Sequence, residues 1–157
     1  MNADGSDAHR VGTLNGNGPY WSRDGRRFLF TSWVGSANEV FEMDVDGSNP
    51  TQITRLGSEL YWPKWSPDDG RILFQSDKDG DQEIFTMRSD GSDMTQLTHN
   101  EVQDGAPDWS PDGTRVVFVS KRDGHLELYV MNADGSNQMR VTTTVLHAIQ
   151  PDWRPVE

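Results

Sequence analysis

The sequence repeats itself with a period of 44 residues. The clearest marker is a tryptophan that follows a proline by two positions, and it recurs at Trp21, Trp65, Trp109 and Trp153. Such a period is typical of architectures in which one supersecondary unit is stacked on copies of itself. The chain holds three whole units and a partial fourth unit that is divided between its two ends.

Each unit contains the same order of short segments. An Asp-Gly turn follows the tryptophan, then an apolar run ending in Phe-x-Ser, then Glu-apolar-aromatic before a methionine, then a second Asp-Gly turn. In the third unit these segments are residues 110–113, 116–120, 127–131 and 134–136. The runs are rich in β-branched and aromatic residues, and Asp-Gly favours tight hairpins. Each unit is therefore predicted to form four short antiparallel strands, and no helix is predicted.

A four-stranded unit of this size cannot bury both of its faces alone, whereas units stacked around an axis can. The predicted fold class is therefore all-β, a β-propeller of four-stranded antiparallel blades with about three complete blades per chain. We expect one domain over residues 1–157. Its blades are predicted at approximately residues 13–54, 55–98 and 99–142, with a split partial blade from residues 1–12 and 147–157. The repeated Trp, Phe, Tyr and Met residues are predicted to form the core.

The repeat resembles that of TolB-type β-propellers, which are relatives of the WD repeats. The resemblance is strongest in the third unit, in Pro-Asp-Trp-Ser-Pro-Asp-Gly at 107–113 and Glu-Leu-Tyr-Val-Met-Asn-Ala-Asp-Gly-Ser at 127–136. The second unit has an extra aspartate at 68–69. The first unit has Arg23 in place of the turn proline and Trp-Val-Gly-Ser at 33–36 in place of an Asp-Gly hairpin. The resemblance implies a ring of six or seven blades in most relatives, which is more than this chain holds.

Three assemblies are open. One chain closes a four-bladed ring with one thin blade, two chains exchange termini in an eight-bladed ring, or the sequence is part of a longer array. Blades whose sequence suits a ring of six or seven would have to move further apart in a four-bladed ring, where each blade fills a quarter of the circle. The favoured partner is therefore a second copy of the chain, in a two-fold symmetric homodimer.

Loops that join one blade to the next open at one end of the ring, the top face, and loops on a rigid scaffold often carry binding residues. These loops vary while the framework repeats. Their polar and aromatic residues are the predicted ligand-binding positions: Asn15, Asn17, Glu59, Tyr61, Trp62, Glu101, Gln103, Asp104, His147 and Gln150. For each residue, a role in capping or hydrating a loop is an equal alternative. Trp33 is predicted to be either a local packing plug, which is favoured, or part of a contact surface.

Composition argues against several functions. The net charge of −11, from 14 basic and 25 acidic residues, disfavours a nucleic-acid partner. The absence of cysteine excludes thiol catalysis and cysteine-ligated zinc. The four histidines occupy unrelated repeat positions, and neither Gly-x-Ser-x-Gly nor His-Glu-x-x-His occurs. We therefore expect no enzymatic activity. No apolar stretch is long enough to insert into a membrane, and the N-terminus shows no signal peptide.

Calcium is the one metal ion that the sequence leaves open. Asp77, Asp79, Asp81 and Glu83 alternate as in oxygen-ligand loops, but Gly80 comes one place too early for an EF-hand. This register is also that of an ordinary hairpin in the repeat. The resemblance to TolB-like proteins implies Ca²⁺ in an acidic channel, without assignable ligands.

The resemblance implies a non-catalytic interaction scaffold that binds a protein or peptide at the top-face loops and completes its ring by self-association. It also implies the periplasm as the location. The alternative is an accessory propeller of a larger hydrolase or peptidase of the prolyl-oligopeptidase type. Flanking sequence that encodes an α/β-hydrolase would favour that alternative.

Overall fold

The computed structural model describes residue 4, residues 6–143 and residues 151–153. In this part of the chain the helices and strands reduce to β-strands alone, with no helix, which confirms the predicted all-β class. The strands form three four-stranded antiparallel sheets, each with its strands in chain order. No helix that could span a bilayer occurs among the described residues.

The strand bounds follow the repeat. Blade 1 comprises β1 (Gly16–Trp21), β2 (Arg27–Val34), β3 (Ala37–Asp44) and β4 (Thr51–Gln52). Blade 2 comprises β5 (Leu60–Trp65), β6 (Arg71–Ser76), β7 (Glu83–Arg88) and β8 (Thr95–Gln96). Blade 3 comprises β9 (Asp104–Trp109), β10 (Arg115–Ser120), β11 (Glu127–Asn132) and β12 (Met139–Arg140). Of the predicted partial blade, residues 6–12 and 151–153 form no strand, and the remainder lies almost wholly outside the described residues.

The turn after each tryptophan is closed by a serine and an aspartate. Ser22 donates its hydroxyl to Asp24 Oδ1 at 2.7 Å and accepts a hydrogen bond from the Arg27 amide at 3.0 Å. The same arrangement closes the other two turns, at Ser66 with Asp68 and Ser110 with Asp112. Because both hydrogen bonds are local, the Ser-x-Asp segment is enough to specify the hairpin.

Blade 2 has an aspartate where the other blades have a turn glycine. Gly25 and Gly113 adopt φ of 68° and 70°, and Asp69 adopts the same left-handed conformation at 56°. Asp69 therefore replaces the glycine and is not an extra residue, which corrects the sequence interpretation. Aspartate tolerates this region better than most residues. Its Oδ1 also accepts a hydrogen bond from the Arg23 amide of blade 1 at 3.2 Å.

The hydrophobic core lies between neighbouring blades. Between blades 1 and 2 it comprises Leu29, Val40, Leu60, Trp65, Ile72, Phe74, Phe85 and Met87. Between blades 2 and 3 it comprises Leu73, Ile84, Leu97, Trp109, Val116, Phe118, Tyr129 and Met131. Each fully buried large side chain contributes about 1.5–3 kcal/mol, so the interfaces hold the blades together.

The repeat tryptophans do not share one environment. Trp65 and Trp109 are 2% and 6% exposed, as predicted for core residues. The prediction is wrong for Trp21, which is 56% exposed. Trp65 is covered by Leu29 and Val40 of blade 1. In the described part of the chain, no blade covers the corresponding face of blade 1, so the same repeat position is left in solvent.

Each first strand contains a β-bulge at the repeat proline, seen as a register shift in β1, β5 and the β9–β10 pair. Proline has no amide hydrogen and cannot fill a donating ladder position, so a bulge accommodates it. The residue before the proline takes a left-handed φ: 61° at Gly18, 56° at Trp62 and 48° at Ala106. This conformation suits glycine and costs other residues about 1–2 kcal/mol.

A buried glutamate links the third and fourth strands of each blade to the connection that follows. In blade 2, Glu83 accepts hydrogen bonds from the Thr98 hydroxyl and from the Asn100 amide, the latter at 2.6 Å. Thr98 Oγ1 also accepts a hydrogen bond from the Ile84 amide at 2.9 Å. Equivalent pairs are Glu39 with Thr54 and Glu127 with Thr142. These links fix where each interblade connection begins.

Candidate functional site

The interblade connections and the β2–β3, β6–β7 and β10–β11 hairpins lie at one end of the blades, the top face. The turns after the tryptophans lie at the other end, the bottom face. This division follows from the antiparallel order of the strands in each sheet. The predicted ligand-binding residues that the structure describes belong to the interblade connections or to the starts of the first strands.

A cavity of about 370 Å³, the upper cavity, lies on the axis between the first strands of the blades. Its apolar wall consists of Gly18, Pro19, Trp62, Pro63, Ala106, Pro107 and Pro151. Tyr20, Lys64 and Asp152 supply its polar groups. The bulges create this wall, because each brings a proline and the preceding residue to the axis.

A charged layer closes the inner end of the upper cavity. It consists of the residues directly before the four repeat tryptophans: Tyr20, Lys64, Asp108 and Asp152. Lys64 Nζ lies 3.1 Å from Asp108 Oδ1 and 5.7 Å from the centre of the Tyr20 ring. Tyr20 and Asp152 also line a second axial cavity of about 400 Å³, towards the bottom face. The layer therefore separates the two cavities.

Burial shifts the pKa values of two residues in this layer, Asp108 and Tyr20. It raises the pKa of Asp108, although the nearby Lys64 ammonium opposes the shift and Asp152 reinforces it. Burial also raises the pKa of Tyr20, with further contributions from the charges of Asp108 and Asp152. Lys64 is paired with Asp108, whereas Asp152 has no ion-pair partner among the described residues. The layer is net negative when both aspartates are ionised.

A smaller top-face cavity, the interblade groove, lies between blades 2 and 3. It encloses about 220 Å³ and is lined by Trp62, Gln75, Gln103, Gly105, Ala106, Val119 and Leu126. Gln75 Oε1 accepts a hydrogen bond from the Ala106 amide at 3.0 Å, and Gln75 Nε2 donates to Gln82 Oε1 at 2.7 Å. Trp62 lines both the groove and the upper cavity, and 43% of its surface is exposed.

The structure brings two of the predicted site residues together, since Trp62 and Gln103 both line the groove. Gln103 is exposed and donates its side-chain amide to Gln82 Oε1 at 2.5 Å. Glu101 is exposed on the adjoining connection. These three are the predicted residues with the most accessible side chains near the groove.

Other predicted residues take part in internal contacts. Asp104 is fully buried and accepts hydrogen bonds from Arg122 at 2.7 Å and Asn100 at 2.8 Å. Glu59 accepts a hydrogen bond from the Tyr61 hydroxyl, and this bond, with partial burial, raises the pKa of Tyr61 to about 12. Both side chains are half-buried.

The remaining predicted residues lie away from the groove. Asn15 and Asn17 are exposed beside β2, where their backbone carbonyls accept hydrogen bonds from Ser32 at 2.8 Å and Thr31 at 3.4 Å. His147 and Gln150 lie outside the described residues. Trp33 is 53% exposed at the β2–β3 hairpin, so the prediction of a packing plug is wrong.

Sequence reasoning missed the charged layer and the groove glutamines. A signal for the layer was present, because side chains alternate along a strand. A residue directly before a buried tryptophan faces the opposite side of the sheet. Gln75 carried no comparable signal, since its role depends on the bulge in the neighbouring blade.

The described residues do not fit a calcium site. Asp77 Oδ1 accepts a hydrogen bond from the Glu59 amide at 2.8 Å, and Glu83 is occupied by Thr98 and Asn100. Lys64 occupies the axial layer and pairs with Asp108. No group of three or more His, Asp or Glu side chains in the described part of the chain could hold a metal ion.

Antiparallel four-stranded sheets packed face to face, with their first strands around a common axial cavity, define a β-propeller protein. A sequence model of the TolB β-propeller domain matches residues 19–157, and the chain belongs to the TolB β-propeller family. No curated protein sequence matches it.

Solved structures agree with this assignment. A putative TolB from Agrobacterium tumefaciens is 29% identical with a TM-score of 0.74, over 82% of this chain and 49% of that one. TolB from Acinetobacter baumannii is 23% identical with a TM-score of 0.71, over 85% of this chain and 33% of that one. A puromycin-hydrolyzing peptidase from Mycobacterium tuberculosis is 19% identical with a TM-score of 0.70, over 87% of this chain and 23% of that one. The last two show the fold alone. The chain spans about half or less of each of these proteins.

Proposed function

We propose that the chain is a non-catalytic scaffold that binds a peptide or a protein segment at its top face. The observation that carries this proposal is Trp62. It is a large aromatic residue held in a left-handed conformation, 43% exposed, at the junction of two cavities. Tryptophan is among the residues that most often dominate binding energy at protein interfaces.

Peptide display against the purified chain tests this function. Selected peptides are synthesised, and their affinities are measured by calorimetry for the wild type and for Trp62→Ala and Gln103→Ala. We expect Trp62→Ala to weaken binding at least about tenfold, as for central aromatic anchors. The control is Asp90→Ala, in an exposed bottom-face turn. Peptides that are sensitive to Asp90→Ala but not to Trp62→Ala would contradict the proposal.

Self-association is the second part of the proposal, with two chains exchanging termini, so that the terminal segment around Trp153 of a second copy covers blade 1. Trp21 is 56% exposed on the uncovered face of blade 1, beside a cavity of about 260 Å³ lined by Val11, Leu14, Gly16, Pro19, Phe28, Phe30 and Met43. In the repeat, Leu29, Val40 and Ile53 cover the next blade, and their counterparts in blade 3 are Val117, Leu128 and Val141. Blade 3 already holds the terminal segment of its own chain, since the Arg115 guanidinium lies 5.4 Å from the Trp153 ring, as that of Arg27 lies 5.2 Å from Trp65. Two such contacts would close a ring around a two-fold axis.

Sedimentation equilibrium tests this association. We expect the mass of two chains for the wild type and of one chain for Trp21→Asp, because a carboxylate cannot be buried in an apolar interface without a partner. Trp33→Asp is the matched control, since Trp33 is 53% exposed but lies at a hairpin. A single-chain mass for the wild type at tens of micromolar would refute the dimer.

The accessory-propeller alternative has weaker support. The neighbour that is a peptidase is only 19% identical, and the chain covers 23% of it. A hydrolase segment encoded next to this chain would favour that role, with the chemistry outside these blades. The periplasmic location stays a prediction.

A further inference from the structure

The upper cavity combines apolar walls with an unbalanced negative charge at its inner end. Four prolines and Trp62 form most of the wall. At the inner end, Lys64 is engaged by Asp108 at 3.1 Å. Asp152 lines the cavity, is exposed to solvent, and has no ion-pair partner in the part of the chain that the structure describes.

The adjoining top face is also acidic. Burial raises the pKa of Asp81, and the charges of Asp79, Asp104 and Glu101 raise it further. These like charges lie on the β6–β7 hairpin and on the connection to blade 3. Arg122 offsets only Asp104, to which it donates at 2.7 Å. The whole chain carries a net charge of −11. A positively charged segment is therefore attracted to this face, and an acidic one is repelled.

The size of the cavity limits what enters it. At about 370 Å³ it lies near the lower end of the ~300–1,000 Å³ range of ligand sites. That volume suits one or two side chains and not a folded domain. Lysine and arginine have long apolar stems and charged ends, so they match a cavity with apolar walls and a charged end. The indole of Trp62 at the wall also attracts cations.

We infer that the upper cavity receives a lysine or arginine side chain of the bound peptide, with its stem against Trp62 and the prolines and its charged end at Asp152. This inference rests on the proposed peptide-binding function of the top face. A neutral apolar side chain would cover the same wall but would desolvate Asp152 without a partner, which is unfavourable. A glutamate would meet like charge.

Matched peptides test the inference. The probes are acetyl-Gly-Gly-X-Gly-Gly-amide, with X as lysine, arginine, norleucine or glutamate, and the readout is the indole N–H resonance of Trp62 in two-dimensional NMR titrations. We expect the basic peptides to bind at least about fivefold more tightly than the norleucine peptide, through the charge-assisted contact with Asp152. The glutamate peptide should leave the resonance unchanged.

Two variants separate a local contact from the overall charge. Asp152→Asn should remove the preference for lysine over norleucine, because lysine loses its charged partner and norleucine no longer desolvates a carboxylate. Asp46→Asn removes the same charge from an exposed bottom-face turn and should preserve the preference. Equal binding of the lysine and norleucine peptides, or equal effects of the two variants, would overturn the inference.

Display-selected peptides distinguish a failure of the preference for basic side chains from a failure of the proposed peptide-binding function. Selected peptides that need Trp62 but contain no basic residue overturn only the cationic preference. If neither the selected peptides nor the matched probes perturb Trp62, the proposed function fails, and the inference fails with it.

Discussion

Trp62 adopts a backbone conformation that its own side chain disfavours. At an ordinary strand position, glycine is less stable than alanine by about 0.5–1 kcal/mol. At φ of 56° we expect the reverse, with Trp62→Gly more stable than Trp62→Ala by about 1 kcal/mol, because the left-handed region penalises a Cβ atom. Urea unfolding measures both variants. The same pair at Tyr61, which has no positive φ, should show the usual order. Equal stabilities of Trp62→Gly and Trp62→Ala would contradict the strain.

Individual site residues were only partly predictable. Trp62 could be singled out because it adds an aromatic to one unit alone. Asp104 looked like a ligand-binding residue, but it pairs with Arg122, and a contact 18 residues apart across a bulged strand has no sequence signature. No motif marks the charged layer, because its four positions hold different residue types; its sequence signal is the position of each residue directly before a repeat tryptophan.

At the level of the elements, the Glu–Thr link joins the third strand of each blade to the residues after the fourth strand through one threonine hydroxyl. Thr98 is fully buried, whereas Thr142 is only partly buried. Thr98→Val leaves the Ile84 amide and one oxygen of Glu83 without partners, and we expect a loss of about 3 kcal/mol in the free energy of unfolding. Thr142→Val should cost about 1 kcal/mol, because water can replace its hydroxyl. Denaturant titrations check both values, and equal losses would argue against burial as the cause.

The strands and turns followed from the sequence because their signals are local. The Ser-x-Asp turns need only neighbouring residues, and the four strands of each blade lie where the apolar runs predicted them. The bulges and the exposure of Trp21 did not follow. A bulge forms because the proline cannot donate a hydrogen bond to the neighbouring strand. The burial of a repeat tryptophan depends on whether a neighbouring blade is present, which the repeat itself does not specify.

At the scale of the whole molecule, most of the described carboxylates with shifted pKa values fall into two groups. Hydrogen bonds from nearby serines lower the pKa of the turn aspartates, which are Asp24, Asp46, Asp68, Asp90, Asp112 and Asp134. The pKa of Asp112 falls to about 2. Burial raises the pKa of a second group, which comprises Asp81, Glu83 and Asp108. The two groups make opposite contributions to the pH dependence of folding.

These opposite shifts predict a maximum of stability in mildly acidic solution. The buried carboxylates Asp81, Glu83 and Asp108 have ordinary pKa values of 3.8 to 4.5 in the unfolded chain and raised pKa values in the folded chain. Their contribution to stability is complete below the ordinary values and is lost as pH rises through the raised values. The turn aspartates contribute above 3.8, and that contribution is lost as pH falls through their lowered values. The free energy of unfolding should therefore increase as pH falls from about 7 to about 4.5 and decrease below about pH 3.8. Protonation also reduces the net charge of −11, and the weaker repulsion adds to the increase between pH 7 and pH 4.5. Urea titrations across this range test the curve. Glu83→Gln should reduce the increase and Asp46→Asn should not, whereas a steady loss of stability from neutral pH downwards would show that the buried carboxylates are ionised without penalty.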